Sequence, residues 1–370
     1  MASPASLLNA GLPAFARTPH PGPRAVEERT AILTNPGFGT TFSDHMVEID
    51  FDAEKGWHDA RVVPYGPIPL DPAAAVLHYA QEIFEGLKAY RLADGGIALF
   101  RPEANAARFN ASARRLAMPE LPEDLFVEAV RQLVFADSDW FPTVEGGSLY
   151  LRPFMFASEA FLGVRPARSY KFLVIASPAG NYFKSGAPAV SIWVSDYTRA
   201  APGGTGAAKC GGNYAASLVP TAEAFSRGHD QVLFLDAAEH RWIEELGGMN
   251  LFFVKSDGSI VTPPLSGTIL PGITRDSLIA LAREEGLTVR EERYSLDQWR
   301  ADAASGDLVE SFACGTAAVV TPVGKVADTN GEFLIGSGGP GQLTQKLRQR
   351  LVSIQRGDAT DTHGWVHRLI

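Results

Sequence analysis

Apolar runs of strand length alternate with segments of helical pattern along this chain. Residues 147–156 alternate between apolar and polar positions, as a strand with one buried face does. Tyr150 and Arg152 therefore share the face opposite the leucines of this segment. Further strands are predicted at 171–176, 190–195, 231–235, 250–254 and 308–313, and helices at 102–117, 214–227, 274–285 and 341–355.

This mixture predicts an α/β or α+β fold, and the length of 370 residues favours two domains. Turn-forming residues dominate the stretch that follows the strand at 171–176. We therefore predict an N-terminal domain over 1–180, a linker over 181–186 and a C-terminal domain over 187–370. Residues 1–33 are predicted to form a flexible or surface-draped arm, because their first part is rich in Ala and Pro.

Composition and charge mainly exclude certain binding partners and structural classes. A formal net charge of −9 disfavours non-specific binding to nucleic acid or to an anionic membrane. No apolar run approaches the ~20 residues that span a bilayer. The two cysteines, Cys210 and Cys314, form no CxxC, so we expect a reducing, cytoplasmic compartment, no disulfide framework and no metal site.

One lysine lies among five glycines in the segment GGTGAAKCGGNY, residues 203–214. A phosphate loop requires Gly-Lys followed by Ser or Thr, whereas Lys209 follows Ala208 and precedes Cys210. A flexible surface loop with a solvated lysine stays open as an interpretation. The alternative is a lysine on a closely packed backbone, able to form an imine with a carbonyl cofactor. Asn213 is expected to cap the helix that follows.

Two acidic residues, Glu244 and Glu245, lie beside two glycines and an apolar strand. They belong either to a solvated acidic turn or to a buried site, where a carboxylate keeps a pyridine nitrogen protonated. The predicted helix start at Gly272-Ile273-Thr274 can hold a phosphate on its N–H groups, although most helix starts bind nothing.

The other candidates are a turn and two arginines. The strand at 308–313 ends in a Gly-Thr-Ala turn, which is either an anion site or an ordinary turn. Arg108 is by default a solvated charge on its predicted helix. Arg152 shares its strand face with Tyr150, and an arginine on an inner face needs an anionic partner.

Seven segments of the chain form a long, ordered set of motifs: LHYAQEIFEGLKAYR (77–91), LFRPEANAARFNASARRLAMP (99–119), SLYLRPFMFASEAFLGV (148–164), KCGGNYAASL (209–218), EELGGMN (244–250), LPGITRDSL (270–278) and ACGTAAVVTP (313–322). Together they resemble the branched-chain amino-acid aminotransferases, which are class IV pyridoxal-phosphate enzymes of fold type IV. The likeness is to bacterial, actinobacterial-like members and covers about residues 34–367.

The resemblance implies a smaller N-terminal α/β domain and a larger C-terminal domain, with pyridoxal 5'-phosphate at their interface, in a homodimer. Lys209 matches the lysine that binds the cofactor and moves protons, and Tyr214 matches the tyrosine on the phenolic oxygen of its ring. Glu245, and not Glu244, matches the acid on the ring nitrogen. The phosphate site is implied for Arg108, Ile273, Thr274 and Thr316.

The resemblance also implies a substrate pocket. Arg152 matches the arginine that takes the γ-carboxylate of glutamate, and the turn at Thr316 and Ala317 matches the site of the α-carboxylate. Val164 matches a residue that reaches the pocket of the partner subunit. Gly248 departs from the pattern, since some members have a hydroxyl residue there. The aromatic walls match Phe42, Tyr79, Phe84, Tyr150 and Tyr182.

The activity implied is reversible ping-pong transamination of leucine, isoleucine and valine with 2-oxoglutarate, giving branched-chain 2-oxo acids and glutamate. An aminodeoxychorismate lyase or a D-amino-acid aminotransferase would keep the lysine and the acid but need a different carboxylate pocket. A non-catalytic pyridoxal-phosphate protein would not need the aromatic pocket. The pairing of residues 150–152 with the turn at 315–317 favours the branched-chain interpretation.

Overall fold

A computed structural model describes residues 12–180 and 189–370. Within these ranges the chain divides into two units. The first comprises residues 12–91, 95–180 and 367–370, and the second comprises residues 92–94 and 189–366. The predicted linker, 181–186, lies outside the described residues.

The first unit is built on a mixed sheet of nine strands, counted over the described residues. The strands run in the order β1-β3-β2-β8-β7-β5-β6-β18, and β4 pairs with β7. Their bounds are β1 (Ala16–Arg17), β2 (His45–Asp52), β3 (Gly56–Pro64), β4 (Glu82–Phe84), β5 (Leu87–Arg91), β6 (Ile97–Phe100), β7 (Ser148–Ala157), β8 (Ser169–Ala179) and β18 (Val366–Arg368). The helices of this unit are α1 (Val26–Thr34), α2 (Ala75–Tyr79), α3 (Pro102–Arg115) and α4 (Glu123–Ala136).

One face of this sheet packs against α3 and α4. Phe109 of α3 and Phe126 of α4 have their rings 5.5 and 5.9 Å from that of Phe172 on β8, and all three are buried. Met155 lies opposite Phe172 in the β7–β8 register, so the odd positions of β7 face the helices. The even positions, which include the Tyr150 and Arg152 face of the predicted strand, point to the other side.

The second unit also has nine strands among the described residues, in the order β11-β10-β9-β16-β15-β12-β13-β14 with β17 on β16. Their bounds are β9 (Val190–Val194), β10 (Gln231–Leu235), β11 (Ile243–Leu246), β12 (Asn250–Lys255), β13 (Ile260–Thr262), β14 (Val289–Glu291), β15 (Leu308–Gly315), β16 (Val319–Asp328) and β17 (Gly331–Leu334). Its helices are α5 (Gly211–Ala215), α6 (Leu218–Ser226), α7 (Ile273–Glu284), α8 (Leu296–Ser305) and α9 (Gln342–Gln355).

The core of the second unit joins the sheet to α8. The ring of Phe253 on β12 lies 5.0 Å from Trp299 on α8 and 4.6 Å from Tyr294, and all three are buried. Ser295 starts α8 by accepting a hydrogen bond from the N–H of Gln298. Aromatic packing therefore joins α8 to this sheet.

The structure corrects the predicted helix over 214–227, which is two helices, α5 and α6. Pro220 lacks the N–H that a continuous helix would need to bond the carbonyl of residue 216. Asn213 does not cap this segment, because α5 already begins at Gly211. Its buried amide instead donates to the carbonyl oxygens of Thr205 and Ala208, each at 2.8 Å.

Other boundaries also differ. The strand predicted at 171–176 is part of β8, which continues to Ala179 because it pairs with β7 up to that residue. Residues 12–33, predicted as part of a flexible or surface-draped arm, contain β1 and most of α1. Residues 367–370, predicted in the second domain, belong to the first unit, where the N–H of Leu369 donates to the carbonyl oxygen of Ile97 at 2.8 Å.

Candidate active site

Lys209 is half-buried in the loop that leads into α5. Its Nζ donates to the hydroxyl of Tyr214 at 2.7 Å and lies 5.1 Å from the centre of that ring. The side chain of Asn213 holds the loop in shape through its bonds to Thr205 and Ala208. The lysine is therefore held on a braced loop, and the interpretation as a solvated surface lysine is wrong.

Glu245 lies on β11 with only 3% of its surface exposed. It forms an ion pair with the buried guanidinium of Arg199 and accepts a hydrogen bond from the N–H of Leu270 at 3.4 Å. Burial raises the pKa of Glu245 to about 7, against the opposing effects of Arg199 and, more weakly, Lys209. The interpretation as a solvated acidic turn is wrong, because this carboxylate is enclosed.

Glu244 precedes it on β11 and is also buried. The hydroxyl of Thr268 donates to its Oε1, whereas its Oε2 has no hydrogen-bond partner among the described residues. Burial raises the pKa of Glu244 as well. Adjacent residues on a strand point to opposite faces, so only one of the two glutamates can share a face with the lysine loop.

The first turn of α7 is packed closely against β12. A Cβ at Gly272 would overlap the Oδ1 of Asn250, whose amide donates to the carbonyl oxygen of Leu270 at 3.1 Å. The N-cap residue of α7 is Gly272, which has no side chain to cap the N–H groups of Ile273 and Thr274. Such a start suits an anion.

The turn between β15 and β16 carries Thr316 and Ala317, both half-buried. A Cβ at Gly315 would come within 3.5 Å of the carbonyl oxygen of Gly248. A Cβ at Gly248 would in turn lie 3.8 Å from the ring of Tyr214, an ordinary contact distance. The turn, Gly248 and the tyrosine of the lysine loop are therefore neighbours within the second unit.

In the first unit, Arg108 projects from α3 to Glu85. Its Nε and Nη2 donate to the two carboxylate oxygens at 2.7 and 2.8 Å, a bidentate pair. Glu85 is fully buried and also accepts from the amide of Asn105 at 2.6 Å and from the N–H of Gly86 at 3.1 Å. The default interpretation of Arg108 as a solvated charge is wrong, because its side chain is 9% exposed and paired. Its contact with a phosphate stays a prediction.

Tyr150 and Arg152 meet on the face of β7 away from α3 and α4. The Nη2 of Arg152 donates to the hydroxyl of Tyr150 at 3.1 Å, and its guanidinium lies 4.7 Å from the ring centre of Phe84. The ring of Phe38 packs edge-on against Tyr150 at 5.0 Å. No described carboxylate pairs with Arg152, and its buried Nε has no partner among the described residues. A Cβ at Gly86 would overlap the hydroxyl oxygen of Tyr150, so this tyrosine requires glycine there.

Three further residues of the predicted pocket, Phe42, Tyr79 and Val164, also lie in the first unit. Phe42 stacks on Tyr65 at 5.0 Å. Tyr79 ends α2 and donates its hydroxyl to the carbonyl oxygen of Leu162. Val164 is 89% exposed in the loop after β7. Tyr182 lies outside the described residues.

Sequence reasoning missed Glu85 and Arg199. Glu85 was a detectable signal, since it is an acid in the otherwise apolar run Ile83-Phe84-Glu85-Gly86-Leu87. Arg199 had no such signal, because its partner Glu245 lies far along the chain. Only folding brings these two buried charges together.

Within residues 12–180 and 189–370, no helix is long and apolar enough to cross a membrane. In the same ranges, no group of three or more His, Cys, Asp or Glu side chains is arranged to hold a metal ion.

A two-unit α/β chain with a braced lysine, its tyrosine partner and a buried carboxylate is what a class IV aminotransferase requires. The family model described as amino-transferase class IV matches residues 82–326, so the chain belongs to that family. Within it, the chain belongs to the branched-chain-amino-acid aminotransferases, and the sequence-based prediction of family and fold type is confirmed.

Three relatives illustrate the match. The branched-chain-amino-acid aminotransferase of Mycolicibacterium smegmatis is 57% identical over 98% of this chain and 100% of its own length. The crystal structure of the Escherichia coli branched-chain amino acid aminotransferase has a TM-score of 0.73 at 30% identity, covering 88% of this chain and all of that one. The Thermobaculum terrenum enzyme, solved in its PLP-form, has a TM-score of 0.70 at 25% identity, covering 91% of this chain and 99% of that one.

Proposed function

We propose that this chain catalyses reversible transamination between L-leucine, L-isoleucine or L-valine and 2-oxoglutarate, with pyridoxal 5'-phosphate as cofactor. The observation that carries the proposal is the grouping of Lys209, Tyr214 and Glu245 in the second unit. The names of the relatives and the PLP-form of the Thermobaculum terrenum enzyme support it.

The donor set fits this cofactor group by group. An amine suits its aldehyde, a phenol suits its phenolic oxygen, and an enclosed carboxylate suits its ring nitrogen. The start of α7, with glycine at its N-cap, offers N–H groups to a phosphate. Lys209, Tyr214, Glu245, Ile273 and Thr274 would hold the group, together with Thr316 and Arg108.

Pyridoxal phosphate, when bound, supplies an aromatic ring that spreads the negative charge left when a substrate loses its α-proton. The protein supplies the proton transfer: the neutral amine of Lys209 accepts the α-proton, acting as a general base. The Tyr214 hydroxyl, 2.7 Å away, holds that amine in place. Ionised Glu245 favours a protonated ring nitrogen, because an anion stabilises a nearby cation.

Substrate choice is proposed to depend on the face of β7. Phe84 and Tyr150 offer apolar ring surface to a branched aliphatic side chain. Arg152 offers a guanidinium that has no carboxylate partner among the described residues, so the γ-carboxylate of glutamate can pair with it. Phe42, Tyr79 and Tyr182 are proposed to complete the walls, and Gly248, Thr316 and Ala317 to border the α-carboxylate.

The chain is further proposed to act as a homodimer in the cytoplasm. The loop after β7 presents Leu162 and Val164 at 66% and 89% exposure, which suits contact with a partner subunit. Cys210 and Cys314 are both buried and unpaired, which suits a reducing compartment. Sedimentation of the wild-type chain beside a Val164→Glu variant tests the dimer. Wild type should sediment as a dimer and the variant should dissociate more readily, whereas a monomer in both samples would contradict the proposal.

The activity is tested by incubating the protein with pyridoxal phosphate, L-leucine and 2-oxoglutarate and measuring glutamate. Lys209→Ala should abolish turnover, whereas Lys325→Ala, on β16 and paired with Glu332, should keep it. Borohydride reduction should place the pyridoxyl group on Lys209. Glutamate formed from D-leucine, or pyruvate released from aminodeoxychorismate, would instead indicate one of the related activities. Bound cofactor with no turnover of any of these would indicate a binding protein.

A further inference from the structure

Arg199 lies beyond the end of β9, and its side chain is only 5% exposed. Its guanidinium forms an ion pair with Glu245 of β11. Nη2 also donates to the carbonyl oxygen of Thr268 at 2.6 Å and to that of Gly206 at 3.4 Å. One buried cation therefore contacts the acid, the loop before Lys209 and the segment that leads to α7.

The two loops that Arg199 contacts are in direct backbone contact. A Cβ at Gly206 would lie 2.5 Å from the carbonyl oxygen of Thr268, so no side chain fits between them. This close packing fixes where both carbonyl oxygens point, and both accept from the same guanidinium. Arg199 is thus held in one orientation toward Glu245.

The charges around Glu245 come from three residues. Arg199 and Lys209 favour its ionised form, whereas Glu244 and burial favour its neutral form. Lys209 must exchange a proton during the reaction, so its charge is not constant. Arg199 is the cation of this set whose charge does not change, since a guanidinium stays protonated in proteins.

We propose that Arg199 is a positioning residue that keeps the carboxylate of Glu245 ionised and correctly oriented, and so maintains the proton on the ring nitrogen of bound pyridoxal phosphate. Arg199 acts only through Glu245 and contacts neither substrate nor reacting atoms. This inference rests on the proposed function.

A double-mutant cycle on the holoenzyme tests whether Arg199 acts through Glu245. The rate of the leucine half-reaction is followed as single-turnover loss of cofactor absorbance at pH 7. A nearby opposite charge lowers a carboxyl pKa by about 1–3, so Arg199→Met should slow the half-reaction by roughly tenfold or more. In the Glu245→Gln background, Arg199→Met should change the rate of the leucine half-reaction by less than about threefold, because the effects of coupled residues are not additive.

A second readout uses the apoprotein and needs no activity. A buried carboxyl whose pKa is raised in the folded state binds more protons than in the unfolded state, so its contribution to stability falls as pH rises from about 4.5 to about 7. Without Arg199 the pKa of Glu245 rises further, so the fall should continue above pH 7. The Tm difference between wild type and Arg199→Met should therefore widen between pH 7 and 9.

Arg300→Met is the matched control, because it removes a salt-bridged arginine of the same unit that pairs with Asp328 on β16. Its Tm difference from wild type should stay constant between pH 7 and 9. Arg199→Lys, which keeps a cation, should keep the wild-type pH dependence. If Arg199→Met does not fold, this lysine variant decides: a stability profile like wild type supports the inference, and one that continues to fall above pH 7 overturns it.

Equal losses from Arg199→Met in the wild-type and Glu245→Gln backgrounds would overturn the inference, since Arg199 would then be structural. So would a Tm difference that does not depend on pH. Failure of the proposed function is distinguishable: the wild-type chain itself would then bind no pyridoxal phosphate or form no glutamate, whatever residue stands at position 199.

Discussion

Arg152→Met should separate the two substrates that one pocket has to accept. The guanidinium donates to the Tyr150 hydroxyl at 3.1 Å and lies over Phe84 at 4.7 Å, and no described carboxylate pairs with it. We propose that the substrate γ-carboxylate is the anion that pairs with it. Methionine roughly keeps the apolar volume of the arginine stem while removing the charge.

The magnitude follows from the bonds lost. A charge-assisted hydrogen bond contributes about 1.5–3 kcal/mol. At ~1.4 kcal/mol per tenfold change, losing one should lower kcat/KM for 2-oxoglutarate roughly 10- to 150-fold. Leucine carries no side-chain charge and loses only contact with the stem and the ring, so its half-reaction should change by less than about tenfold, or ~1.4 kcal/mol.

The assay measures the two half-reactions separately by single-turnover absorbance of the bound cofactor. The free energy of unfolding should stay within about 1 kcal/mol of wild type, because Arg152→Met leaves no described acid without its partner. The control is Arg61→Met, which removes an arginine of the same unit paired with Glu48 and Asp50 and should lower stability without separating the substrates. Equal losses in both half-reactions would refute the reasoning and make Arg152 structural.

The other predictions concern the acid, one glycine and the cysteines. Glu245→Gln should leave the cofactor bound but slow both half-reactions, because a neutral amide stabilises a protonated ring nitrogen less; slowing of only one would contradict that role. Gly86→Ala should displace the Tyr150 hydroxyl, which a Cβ would overlap, and destabilise the fold by about 1–3 kcal/mol, measured by denaturant unfolding. An unchanged free energy of unfolding and an unchanged KM would show that the Tyr150 ring moves freely. Cys210 and Cys314 are buried, and burial raises the pKa of the Cys314 thiol, so mild peroxide and native alkylation should leave activity unchanged. Thiol-reversible inactivation with a mapped disulfide between them would overturn this.

Local sequence pattern was sufficient to predict several of the elements, such as β7 and α3, and the family. Alternation along β7 placed Tyr150 and Arg152 on one face, because side chains of a strand alternate whatever the strand pairs with. Pro102 at the start of α3 is a local signal of the same kind. The long ordered motifs around Lys209 and Glu245 were enough to predict the class IV family, which is confirmed.

Tertiary structure decided which charges meet. Arg108 pairs with Glu85, and Arg199 with Glu245, across separations along the chain that no helical or strand period connects. Whether Glu245 is solvated or enclosed also depends on segments that fold over it, such as the one that includes Leu270. Burial and pairing are properties of the packed chain, so the charge state of the acid was beyond what its sequence neighbours determine.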